Sequence, residues 1–88
     1  MVSYSIRWKK SAQKELRALP RSVIPDVLVA VESQAANPHP HGCRKLQGAQ
    51  RMWRIRIGDY RVVYSVDAGV LCIEVIRIGH RQSVYRKS

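Results

Sequence analysis

The sequence predicts an α+β fold: an N-terminal strand, a helical hairpin packed on one face of an antiparallel β-sheet, and then three consecutive strands. Three observations support this fold class. The first residues alternate between apolar and polar side chains, two amphipathic helical patterns follow, and the second half contains three strand-like runs separated by glycine turns. At 88 residues the chain is expected to form one domain that covers residues 1–88.

The N-terminal segment contains the first strand and the first helix. Residues 3–8 alternate, and Tyr4, Ile6 and Trp8 share one side of the predicted strand. A helix is expected over about residues 9–19, where apolar side chains recur at helical spacing beneath a cationic outer face. Pro20 ends this helix because its ring cannot continue the hydrogen-bonded turn.

A second helix is expected to follow and to end near Asn37. Ser22 is the predicted N-cap, and Pro25 falls in the first turn, where the missing N–H costs nothing. The apolar stripe of this helix consists of Ile24, Val27, Leu28, Val31 and Ala35. The two helices together are expected to form an antiparallel hairpin.

Residues 37–51 are rich in proline and glycine and predict an ordered loop that leads into a β-hairpin. In "WRIRIGDYRVVY", residues 53–64, apolar and charged side chains alternate on both sides of Gly58 and Asp59, which is typical of a two-residue turn. This register sets Arg56 opposite Arg61 and places Arg54 on the same face. The core face carries Ile55, Ile57, Tyr60 and Val62.

The last predicted strand is "VLCIEVIRIG", residues 70–79, which follows a turn near Asp67. With a four-residue turn, Leu71, Ile73 and Val75 join the core face and Glu74 joins the arginine face. The tail "HRQSVYRKS" is short and basic and carries one tyrosine.

The charge distribution favours a polyanionic partner, with nucleic acid first. Sixteen Lys and Arg against six Asp and Glu give a formal net charge of +10. Charge alone does not separate RNA, DNA, an acidic protein and a membrane surface. The chain has no membrane-length apolar run and no signal peptide, so we expect a cytoplasmic protein that does not bind membranes. Its two cysteines are expected to be reduced thiols.

The arginine face is the predicted binding surface. Like charges directly opposite each other weaken a sheet, and an anion between two guanidinium groups would convert their repulsion into shared attraction. The alternative is a solvated face without a ligand. Further cations before the hairpin are expected to extend the phosphate-binding surface, namely Arg44, Lys45 and Arg51.

Other candidate chemistry is sparse. His39, His41 and Cys43 offer three metal ligands, but zinc sites usually combine two separated pairs, so we expect ordinary loop residues and no metal or cofactor. His80 and Tyr85 are candidate proton carriers, or else part of a structural cap. Because no carboxylates are closely paired, the pattern favours a cation-assisted reaction such as attack of an RNA 2′-hydroxyl on its own phosphate.

The motifs "KKSAQKELRALP", "NPHPHGCRKLQG", "WRIRIGDYRVVYSVD" and "IRIGHRQSVYR" together resemble the RelE side of the RelE/ParE toxin superfamily over essentially the whole chain. The resemblance implies a type II toxin-antitoxin system and a toxin that enters the ribosomal A site, cleaves mRNA there and inhibits translation. It also implies a cognate acidic antitoxin of the RelB type that binds the toxin in a hetero-oligomer.

The resemblance further implies roles for individual residues. Arg61 and Arg81 would stabilise the scissile phosphate, and Tyr85 or His80 would handle the 2′-hydroxyl proton. Arg54 and Arg56 lie where lysines are common in the family. Because arginine cannot readily act as a base, these two are expected to clamp phosphate. Two alternatives remain, a ParE-like non-enzymatic poison of DNA gyrase and a degenerate toxin that only binds an antitoxin.

Overall fold

The computed structural model describes residues 3–46, 48 and 51–80. Over these residues the chain forms two helices and five strands, with the bounds β1 (Ser5–Trp8), α1 (Lys10–Ala18), α2 (Ile24–Ser33), β2 (Arg44–Lys45), β3 (Met52–Ile57), β4 (Tyr60–Asp67) and β5 (Cys72–His80). The strands form one sheet in the order β1-β5-β4-β3-β2. The predicted α+β fold class is confirmed, with a strand before the helical hairpin and three consecutive strands at the end.

Two features of the sheet differ from the prediction. Strand β1 runs parallel to β5, with Ser5 paired to Cys72 and Trp8 to Val75, so the sheet is mixed and only the pairs β2-β3, β3-β4 and β4-β5 are antiparallel. A fifth strand is present because two residues of the predicted loop pair with β3 as β2. A two-residue strand is too short to produce an alternating pattern in the sequence.

The hairpin formed by β3 and β4 has the predicted register. Arg56 pairs with Arg61, and Ile57 pairs with Tyr60 across the turn. Gly58 has a positive φ of 60°, the sign that a type II′ turn requires at its first central position and that glycine adopts without a steric penalty. The turn residues and the apolar alternation therefore agree on a single register.

The pairing of β4 with β5 contains an irregularity that reverses the side-chain order. Val63 pairs with Arg77 whereas Tyr64 pairs with Val75, so Ile76 is an extra residue in β5. Because of this bulge, Glu74 and Arg77 both lie on the arginine face.

The turn before β5 spans residues 68–71, as the predicted four-residue turn requires, since Asp67 pairs with Cys72. Ile73 and Val75 are buried as predicted, but the placement of Leu71 in the core is wrong. Leu71 is exposed and has a φ of 52°, because it is the last residue of the turn and lies outside the strand alternation.

The helical hairpin is present, with shorter helices than predicted. Helix α1 loses one residue at each end of the expected range. In α2 Pro25 lies in the first turn, as expected. Ser22 is not the N-cap, because residues 21–23 form a turn and Val23 takes that position. The extension toward Asn37 is also wrong, since residues 34–36 form a turn. Neither helix is long and apolar enough to cross a membrane within the described residues.

Both helices cover one face of the sheet. The buried core joins them to the apolar sides of β3, β4 and β5 and consists of Ala12, Val27, Val31, Ile55, Val62, Tyr64, Val66, Ile73, Val75 and Ile78. Burial of this apolar surface, at about 25 cal/mol per Å², is the main force that orients the sheet. The arginines of β3 and β4 consequently point to the opposite face.

Helix α1 also covers the edge of β5 that β1 leaves unpaired, since β1 pairs only with residues 72–75. The backbone N–H of Ile78 donates to the Glu15 carboxylate at 2.7 Å. The other oxygen of that carboxylate lies 3.9 Å from Nε of Arg77. Glu15 thus satisfies the strand edge and partly neutralises the arginine nearest to it.

Candidate anion-binding site

The basic surface is built from two cross-strand arginine pairs. Arg44 of β2 lies opposite Arg54 of β3, and Arg56 of β3 lies opposite Arg61 of β4. Directly paired residues share a face, so all four side chains start from the same side of three neighbouring strands. The second pair was expected from the sequence. The first was missed as a pair because β2 was predicted to be a loop.

A cavity of about 480 Å³ lies where these arginines meet the edge of β3. It is lined by Ala30, Ser33, Pro40, His41, Gly42, Arg44, Arg54, Ile55, Arg56, Ile57 and Arg61. Strand β2 ends after pairing with Trp53 and Arg54, and no other strand of the described residues pairs with this edge beyond that point. Successive β3 residues from both faces therefore border one cavity.

The arginines differ in how they are held. Arg56 is exposed, and its Nε donates a hydrogen bond to the carbonyl oxygen of Gly58 at 3.1 Å. Arg54 and Arg61 are half-buried, which limits the rotamers available to their long side chains. A guanidinium group held in this way loses less entropy when it binds an anion.

The loop that forms the far wall is fixed to the core by Tyr64. This side chain is fully buried, and its hydroxyl donates to the carbonyl oxygen of Pro38 at 2.9 Å. Burial raises the pKa of Tyr64 well above its usual value, and the neighbouring Cys43 raises it further, so the hydroxyl stays a neutral donor. The N–H of Cys43 donates to the carbonyl oxygen of Pro40 at 3.0 Å, which closes the turn that carries His41.

Two predicted phosphate-binding residues lie away from the cavity. Lys45 pairs with Trp53 on the opposite face from Arg44, and its Nζ lies 5.9 Å from the centre of the Trp53 ring. Arg51 forms an ion pair with Asp67 at 3.6 Å, at the other end of β3 from the turn. These two cations contribute to the overall charge and do not line the cavity.

The predicted proton carriers are placed as follows. His80 pairs with Tyr60, and the two rings meet edge to face with their centres 5.8 Å apart. Strict alternation from Ile73 would put His80 on the arginine face, but the bulge at Ile76 turns it to the other face. Arg61 lies opposite Gly79 instead. Arg81 and Tyr85 lie outside the described residues.

The three side chains considered as metal ligands have different surroundings. His39 contacts the Trp53 ring at 4.6 Å between centres, whereas His41 lines the cavity. Cys43 is half-buried against the core. Among the residues described by the structure, no group of three or more His, Cys, Asp or Glu side chains is arranged to hold a metal ion.

The arrangement can bind a polyvalent anion. Four arginines border one cavity, and planar guanidinium forks match the oxygens of a phosphate group in a bidentate geometry. A single carboxylate would neutralise only part of this charge. Sequence reasoning missed His41 as a site residue, because nothing in the pattern "HPHG" distinguishes it from His39.

Comparisons of this chain with a family model and with individual known proteins agree with each other. A family model described as the ParE toxin of the type II toxin-antitoxin system parDE matches residues 6–85. The toxin RelE of Mycobacterium tuberculosis is 31% identical over 84 residues, which cover 94% of this chain and 87% of that protein.

Solved structures give the same relationship. The archaeal RelE-RelB complex from Pyrococcus horikoshii is 28% identical with a TM-score of 0.81, over 91% of this chain and 97% of that chain. The intact E. coli RelBE toxin-antitoxin complex is 25% identical with a TM-score of 0.79, over 89% of this chain and 96% of that chain.

The Tyr64→Phe substitution should loosen the cavity wall. It removes the donor that holds the Pro38 carbonyl, and loss of one partner of a buried hydrogen bond costs about 1–2 kcal/mol of unfolding free energy. A thermal melt of the purified chain should show a midpoint lower by roughly 4–8 °C per kcal/mol. The control is Tyr60→Phe, which makes the same change at a half-buried tyrosine near the hairpin turn. Equal melting temperatures for the two variants would contradict the anchoring role of Tyr64.

Proposed function

The chain belongs to the ParE toxin family of type II toxin-antitoxin systems, and on this premise we propose that it is a ribosome-dependent endoribonuclease that cleaves mRNA in the A site. The RelE relatives support the toxin class. The main support for the proposal is that two cross-strand arginine pairs border one cavity, a geometry suited to a phosphate backbone. Cleavage of the codon being read would inhibit translation.

The proposed reaction uses a nucleophile that the substrate supplies. The RNA 2′-oxygen forms a bond to the adjacent phosphorus, and the bond from phosphorus to the 5′-oxygen of the next nucleotide breaks. Negative charge increases on the phosphate oxygens, and in this proposal Arg61, which lines the cavity, stabilises that charge. Arg54 and Arg56 clamp the phosphate backbone, and Arg44 extends the clamp across β2. Arg81 would add a further cation from the C-terminal tail.

Two protons must move in this reaction. One leaves the 2′-hydroxyl, and one reaches the departing 5′-oxygen. His80 lies against Tyr60 on the face opposite Arg61, so its placement favours Tyr85 for removal of the first proton. A tyrosine needs nearby cations to lower its pKa for this role, and the arginine cluster would supply them.

We propose an acidic RelB-type antitoxin as the cognate partner. The structurally similar toxins from Pyrococcus horikoshii and E. coli were solved in complex with an antitoxin. A formal net charge of +10 and four arginines around one cavity both favour an acidic polypeptide. Such a partner would neutralise the surface that otherwise attracts RNA.

A second candidate function is non-enzymatic poisoning of DNA gyrase. It is favoured by the family model itself, whose description names the ParE toxin. In this alternative the arginine face binds a protein surface and cleaves nothing. The two functions differ in whether mRNA is cut, so one assay distinguishes them.

In a translating extract, the purified chain should cut mRNA and leave a 2′,3′-cyclic phosphate or 3′-phosphate on one side and a 5′-hydroxyl on the other. This product follows because the nucleophile is the substrate's own 2′-oxygen. Chelation under conditions that keep ribosomes intact should leave cleavage unchanged, since the arginines carry the charge stabilisation. End-mapping of the fragments is the measurement. A 5′-phosphate product would exclude the mechanism, and inhibition of gyrase without any cleavage would favour the second candidate.

The Arg61→Ala substitution should separate activity from stability. Loss of one preorganised charge-stabilising group commonly lowers the rate about 100-fold to 1,000-fold, so cleavage and growth inhibition should nearly vanish. Relief of repulsion with Arg56 should leave the unfolding free energy unchanged or higher by up to about 1 kcal/mol. The measurements are a cleavage time course and a thermal melt of each variant.

Arg17→Ala on the exposed face of α1 removes the same charge at a residue that does not line the cavity and serves as the control. It should cut mRNA at the parental rate. The proposed role of Arg61 fails if Arg61→Ala melts several degrees lower than the parent or cleaves as fast as Arg17→Ala.

A further inference from the structure

The geometry points to a nucleotide subsite in the 480 Å³ cavity, in which the arginines hold the phosphate and the wall at Pro40 and His41 holds the base. We therefore assign His41 as a residue that determines base specificity. This inference rests on the proposed function, because it identifies which part of an RNA substrate the cavity accepts.

The size and lining of the cavity fit a nucleotide better than a simple anion. Its volume lies within the range of about 300–1,000 Å³ that is usual for small-molecule sites, whereas a single phosphate group would fill only a small part. The lining combines four arginines with uncharged residues that include Ala30, Pro40 and Ile57, and on β3 the arginines and isoleucines alternate between the two faces of the sheet. A nucleotide likewise combines a charged phosphate with an uncharged base.

The wall at His41 presents an accessible ring. His41 is exposed at the cavity, and the turn around it is held by the hydrogen bond from Cys43 N–H to the Pro40 carbonyl. Gly42, which directly follows the histidine, has a φ of 92°. Glycine adopts this left-handed conformation at low cost because it has no Cβ. Unpaired RNA bases are recognised by stacking on rings of this kind, with histidine among them.

The edge of β3 supplies polar groups beside this ring. The N–H of Leu46 donates to the carbonyl oxygen of Met52, so the backbone of Met52 faces the β2 side. The N–H and C=O groups of successive strand residues point to alternate edges of the strand. Arg56 lies four residues after Met52, so its N–H and C=O point to the same edge, at a position that β2 does not pair with. A donor and an acceptor side by side are suited to reading the edge of a base.

His39 is the matched control that the loop provides. It lies two residues before His41, but its ring contacts Trp53 and it does not line the cavity. The two histidines have the same chemistry and similar exposure. Any effect specific to His41 consequently reports on the cavity.

The test measures equilibrium binding of the four nucleoside 3′-monophosphates and of inorganic phosphate to the purified full chain. Binding is measured by calorimetry or NMR. Base stacking on a ring predicts that at least one nucleotide binds about ten-fold more tightly than phosphate. His41→Ala should abolish this advantage, His41→Phe should retain stacking with altered base preference, and His39→Ala should match the parent. Circular dichroism of each variant verifies folding.

Three results would overturn the inference: equal affinity for nucleotides and phosphate, a nucleotide advantage that survives His41→Ala, or an acidic peptide that occupies the cavity when no nucleotide does. Because the assay contains no ribosomes, its outcome is independent of mRNA cleavage. A chain that binds nucleotides through His41 but leaves mRNA intact would retain the subsite and refute the endoribonuclease proposal.

Discussion

The site depends on one constraint: the strand pairing holds arginines opposite each other although their charges repel. Arg44 lies opposite Arg54, and Arg56 lies opposite Arg61, so the sheet bears a local excess of positive charge. A one-residue slip of register would relieve these pairs but would move Ile55 and Val62 out of the core. Burial on one face therefore enforces an unfavourable arrangement on the other, and a polyanion can turn that arrangement into binding.

Other parts of the fold keep this face and its cavity ordered. Gly58 allows the tight turn that aligns Arg56 with Arg61, and Tyr64 links the core to the loop that carries the cavity wall. Glu15 accepts a hydrogen bond from the edge of β5 and forms an ion pair with Arg77, and neither residue lines the cavity. Long-range attraction from the net charge of +10 would bring a polyanion to this surface, and the paired arginines would orient it.

Much of the fold and part of the site could be predicted from the sequence. Physical reasons explain which features could be predicted and which could not. The register of Arg56 and Arg61 follows from strict alternation around a glycine turn, which is local information. The parallel pairing of β1 with β5 is a long-range contact, and β2 has only two residues, so neither leaves a periodic signal. The bulge at Ile76 changes the face of every later β5 residue, which explains why His80 lies away from Arg61. His41 could not be distinguished from His39 without the cavity.

Arg56 and Arg61 should repel each other until an anion binds between them. The most direct measurement is a double-mutant cycle of unfolding free energy with Arg56→Ala, Arg61→Ala and the double variant, carried out in chloride and in phosphate at equal ionic strength. We predict an unfavourable coupling of about 0.2–1 kcal/mol in chloride and a favourable coupling in phosphate. A coupling that is favourable in chloride, or that phosphate leaves unchanged, would contradict the account.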